Sequence, residues 1–115
     1  MPKPRNNAER WRRLLGWLRT NFPANHPITV RSKRHMADQD RGGTELFPRG
    51  FLIEVESATC WEVRFDTILH EWAHAMVWEG AETLFDDHSN EWGIAYARLY
   101  REFYLWKWGV DHGSQ

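Results

Sequence analysis

Thr59-Cys60-Trp61-Glu62-Val63-Arg64-Phe65-Asp66-Thr67-Ile68-Leu69-His70-Glu71-Trp72-Ala73-His74-Ala75-Met76-Val77-Trp78 is the stretch whose reading decides the fold. Apolar residues recur at Trp61, Phe65, Ile68, Leu69, Trp72, Ala73, Met76 and Val77, the spacing of one face of an α-helix. Thr59 followed by Glu62 reads as a capping box at the helix start, and Gly80 as a left-handed stop beyond its end. Trp61, Phe65, Ile68, Trp72 and Met76 define the core side. His70 and His74 lie just over one turn apart, about 40° round the axis, and point nearly opposite to that side.

On a helix, two imidazoles so placed can hold one zinc ion, and Glu71 stands beside them to reach a metal-bound water. The alternative is a chance pair of surface histidines; the helical context and the intervening glutamate favour the metal. A catalytic zinc needs a third protein ligand and an open position. Downstream, Glu82, Asp86, Asp87, His88 and Glu91 are candidates, and spacing alone leaves them open. The metzincin extension would require Gly at position 77 and His at position 80; the chain has Val77 and Gly80, which excludes that class. Asp66, one turn before His70, can orient its imidazole or simply be a solvated aspartate.

The 115 residues suit a single domain with one modest core. Eight tryptophans let few residues fill that core. The lone Cys60 excludes an internal disulfide framework and a Cys-rich zinc ribbon. No stretch approaches the roughly 20 apolar residues of a membrane span, and the N-terminal apolar runs are too short for a secretory signal. The expectation is a cytoplasmic protein without membrane partners. The net charge of −1 conceals an asymmetry: residues 1–50 carry 11 Lys/Arg and 4 Asp/Glu, residues 51–115 carry 4 and 12. Either the halves neutralise one another on folding, or the basic N-terminal half offers a face to nucleic acid or an acidic partner.

In chain order, residues 1–6 read as a flexible basic tail. Asn6 with Glu9 caps a helix to about Asn21, whose face Trp11, Leu14, Leu15, Trp17 and Leu18 packs inward. Pro27–Lys33 alternates and is rich in β-branched residues, so it reads as a strand. The turn Asp38–Gly43 leads into Thr44-Glu45-Leu46-Phe47, Pro48-Arg49-Gly50 interrupts, and Phe51–Glu56 is the clearest strand. Pro48 belongs at an edge or bulge. A last helix runs from about His88 to Trp108, with Trp92, Ala95, Tyr96, Leu99, Phe103 and Trp106 as its core stripe. The fold expected is α+β: an N-terminal helix, a short, mostly antiparallel sheet of about three strands, the H-E-x-x-H helix and a long C-terminal helix.

His70-Glu71-Trp72-Ala73-His74-Ala75-Met76-Val77-Trp78 and, with thirteen residues between His74 and His88, His88-Ser89-Asn90-Glu91-Trp92 resemble the SprT-like zinc metalloprotease family. That family's pattern is H-E-x-x-H with a small-apolar continuation, then His-Gly-x-x-[Trp/Phe] opening the next helix. The resemblance implies a zincin-like domain with His70, His74 and His88 as ligands of Zn2+ and Glu71 as catalytic base. It implies a metallopeptidase acting on protein or peptide, with Trp92 as the aromatic that packs the next helix. Ser89 departs from the family's glycine, and the zinc ribbon that follows the domain in many members has no counterpart here. Other readings are a catalytically silent, metal-stabilised protein- or DNA-binding module of the same fold, and a third ligand supplied by Glu91 or Glu82. For substrate, an extended chain adding to a sheet edge at Phe51–Glu56 is the expectation.

Overall fold

The computed structural model describes residues 2–36, 40–78 and 89–109. Helix α1 (Asn7–Asn21) is followed by strands β1 (Ile28–Lys33), β2 (Gly42–Phe47) and β3 (Gly50–Glu56). Helices α2 (Trp61–Met76) and α3 (Asn90–Trp106) come next, and a 3₁₀ turn (Lys107–Gly109) closes the described chain. The α+β class stands.

The sheet has the order β1-β3-β2, so β3 is its middle strand. β2 and β3 form a hairpin across Pro48-Arg49, pairing Phe47 with Gly50 and Gly42 with Val55. β1 pairs with β3 in parallel, Ile28 opposite Phe51 and Lys33 opposite Glu56. The sheet is therefore mixed rather than mostly antiparallel. The chain reverses between β1 and β2 and again before β3, so β1 and β3 run the same way. An antiparallel meander would have put β2 in the middle. Burial explains why β3 takes that place: Phe51, Ile53 and Val55 are buried, whereas β2 ends in the exposed Leu46 and Phe47. Gly50 makes the tight approach possible; its φ is +129°, and a Cβ there would lie 2.5 Å from the Pro27 carbonyl oxygen.

α2 lies against β2, β3 and α3 and buries Phe65, Ile68, Leu69, Trp72, Ala73 and Ala75. α1 adds Leu14, Trp17 and Leu18, and α3 adds Ala95, Leu99 and Phe103. Trp72 lies fully buried in this single core, its Nε1 donating to the Phe22 carbonyl at 2.8 Å.

Helix ends follow local chemistry. Asn6 caps α1, its Oδ1 accepting from the Glu9 amide at 2.9 Å. α2 departs from the expected capping box: Cys60 is its N-cap residue and makes no side-chain cap bond. Thr59 instead turns its hydroxyl back to the Glu56 carbonyl, 3.3 Å away, where it closes the turn leaving β3. α2 ends at Met76, short of Gly80, which lies outside the described residues. α3 opens with Ser89 as N-cap, Oγ accepting from the Trp92 amide at 3.2 Å. It stops at Trp106 because Lys107 turns left-handed, at φ 41°.

Part of the charge asymmetry cancels inside the fold. Lys33 meets Glu54 at 3.4 Å and Arg41 meets Glu56 at 2.9 Å, both pairs joining the basic half to the acidic half. Arg13 donates to the Trp108 carbonyl at 2.6 Å, tying the first helix to the closing turn. No helix among the described residues is long and apolar enough to cross a membrane.

Candidate metal centre

His70 and His74 project from α2 on the side away from its most buried residues, and both are half-buried. Their Nε2 atoms stand 3.3 Å apart. Two imidazole nitrogens each 2.0–2.1 Å from a tetrahedral zinc are separated by about 3.3 Å, so the pair has the spacing of two ligands of one ion. The intervening Glu71 is buried, with Oε2 4.0 Å from His70 Nε2. Its other oxygen, Oε1, accepts from Thr44 Oγ1 on β2 at 2.7 Å.

α3 fixes the histidine rings from the side. The Trp92 indole donates from Nε1 to the His70 carbonyl at 3.2 Å and stacks on the His74 ring at 5.4 Å between centroids. Tyr96 stacks on Trp92 at 5.0 Å and meets His70 edge-on at 5.7 Å. The apolar stripe of α3 therefore serves twice: Ala95, Leu99 and Phe103 enter the core, while Trp92 and Tyr96 wall the histidine pair.

Asp66, the candidate orienting group for His70, receives the hydroxyls of Tyr96 and Tyr100, the latter at 2.5 Å. Burial raises the Tyr96 pKa to about 12, helped by the hydrogen bond to Asp66 and its negative charge. Burial and the Asp66 bond push Tyr100 upward as well. Both phenols are therefore donors to Asp66.

The third ligand is a different matter. His88 lies outside the described residues, as do Glu82, Asp86 and Asp87. Glu91 is described and exposed. Among the described residues, no three His, Cys, Asp or Glu side chains are grouped to hold a metal ion. What the structure does place beside the histidines is the first turn of α3, through Trp92, three residues after Ser89.

Sequence reasoning missed Thr44. The available signal was Gly42-Gly43 immediately before it, since side-chain-free positions in a strand mark a close backbone approach. The choice of Phe51–Glu56 as a free edge is also overturned: β3 is paired on both sides, and the sheet edge beside Glu71 is β2. Comparison with protein-family models, curated proteins and solved structures finds no match to this chain.

Proposed function

We propose that this chain is a zinc-dependent metallopeptidase of the SprT-like kind, with a zincin-like arrangement of sheet and metal helix. In this reading His70 and His74 supply two ligands, and His88, which directly precedes Ser89, supplies the third. The observation that supports it best is the 3.3 Å separation of the two Nε2 atoms with the Glu71 carboxylate 4.0 Å from one of them. Zinc, when bound, would supply Lewis-acid polarisation of a carbonyl and lower the pKa of a coordinated water toward about 7.

The chain's own groups do the rest. Glu71 takes the proton of the attacking water and returns it to the leaving amine. Trp92 and Tyr96 hold the imidazoles in place and keep one side of the pair apolar. The outer edge of β2, with one side already bonded to β3, can pair with an extended substrate chain, and the exposed Leu46 and Phe47 can receive apolar side chains at its end. The substrate class is therefore polypeptide in extended conformation.

The test is metal content and hydrolysis of denatured casein for wild type, Glu71→Gln, His88→Ala and Glu91→Ala. Glu71→Gln is expected to keep zinc and lose hydrolysis. His88→Ala is expected to lose both, and Glu91→Ala neither. Hydrolysis undiminished in Glu71→Gln would remove the carboxylate from the mechanism, and zinc retained in His88→Ala would reassign the third ligand.

A further inference from the structure

Thr44 bridges the edge strand and the metal helix at the carboxylate on which the proposed reaction turns. Its Oγ1 lies 2.7 Å from Glu71 Oε1 and 3.2 Å from the Glu71 backbone carbonyl. A hydroxyl has one proton to donate, and the shorter contact with the better acceptor, the carboxylate, takes it. We propose that Thr44 is a positioning residue for Glu71, holding Oε1 so that Oε2 faces the His70 and His74 nitrogens. This inference rests on the metallopeptidase reading and adds to it a group on a different element.

The close seating of β2 on α2 supports it independently of that hydrogen bond. Gly42 and Thr44 are successive residues on one face of β2, paired with Val55 and Ile53, both fully buried. A Cβ on Gly42 would come within 2.6 Å of Thr67 Cγ2 and 3.3 Å of Glu71 Cγ. The strand therefore lies against Glu71 at two consecutive inward positions, one without a side chain and one with a short donor. Register makes the choice specific. A slip of one residue would present Gly43 and Glu45 to α2, replacing a donor with a second carboxylate opposite Glu71. A glutamate has three rotatable bonds, and proton transfer demands that its oxygen be held close to one geometry. The strand that would receive substrate on its outer edge thus also orients the base from its inner face.

Thr44→Val removes the donor while keeping shape, and Thr44→Ser restores it. The measurement is kcat and KM on denatured casein, with zinc content and thermal midpoint recorded for each variant and Glu71→Gln alongside. Expected for Thr44→Val is a fall of about ten- to a hundredfold in kcat, the range for loss of a hydrogen bond that orients a catalytic group. KM and zinc content should stay within twofold, and Thr44→Ser should recover most of the rate. A Thr44→Val enzyme with wild-type kcat overturns the proposal. So does a loss shared equally by Thr44→Ser, or one that tracks zinc content or thermal midpoint, since those mark a packing role. A wild type no faster than Glu71→Gln removes the metallopeptidase reading itself, and Thr44's role with it.

Discussion

Trp72 follows Glu71 in the chain and stands about 100° further round the helix, so neighbouring residues divide the work of core and site. Its ring is fully buried and its Nε1 bonds the Phe22 carbonyl. Trp72→Phe withdraws that donor and shrinks the ring, and should cost about 2–3 kcal/mol in urea unfolding, with the midpoint lowered and the slope unchanged. At the same scale, the tyrosines on Asp66 give a pH dependence whose sign can be worked out. Tyr96 has its folded pKa raised to about 12 from an ordinary value of 10.0, and Tyr100 shifts in the same direction. A raised folded pKa contributes stability that is complete below the unfolded value and lost as pH climbs through the folded one. Stability should therefore fall between pH 10 and about 12 as the unfolded chain gives up phenol protons that the native state retains. Denaturant titrations across that range should show a smaller fall in Tyr96→Phe.

Among the elements, α2 depends on tertiary packing more than on its own ends. Cys60 occupies the N-cap with extended backbone, φ −69° and ψ 164°, yet supplies no cap bond. Cys60→Asp places a carboxylate acceptor where the first-turn amides need one and should stabilise the protein by about 1 kcal/mol in chemical denaturation. β2 is held to the opposite standard, because it cannot tolerate added volume where it meets α2. In Gly42→Ala the new methyl would sit 2.6 Å from Thr67 Cγ2 and 2.9 Å from the Glu54 carbonyl. Since one of those atoms is backbone, the strand must shift, with an expected loss of about 1–3 kcal/mol. The displaced Thr44 should lower the rate of hydrolysis in the same variant.

For the molecule as a whole, a metal that binds only the folded chain must raise its stability by mass action, by about 2.7 kcal/mol at a hundredfold excess over Kd. Zinc should raise the thermal midpoint of the wild type, a chelator should reverse the shift, and His74→Ala should show neither effect. The charge asymmetry also acts at this scale. Lys33–Glu54 and Arg41–Glu56 pair across the two halves, Arg12 lies 3.9 Å from Glu9 within the basic half, and Arg31 is exposed. Should the basic half serve a nucleic-acid partner, the affinity of that complex will fall steeply with added salt.

The α+β class, the three helices and three strands of the described residues, and the helical setting of His70, Glu71 and His74 were legible in the residues. Periodicity and caps act within one segment, and a four-residue spacing on a helix fixes the neighbours of each side chain by itself. The sheet order, the parallel β1–β3 pair, the tyrosines on Asp66 and the reach of Thr44 to Glu71 were not legible. Each depends on which segments bury their apolar faces against one another, a competition settled across the whole chain. Capping at Thr59 failed for a related reason: its hydroxyl had a second acceptor, Glu56, that only the turn out of β3 brought within reach.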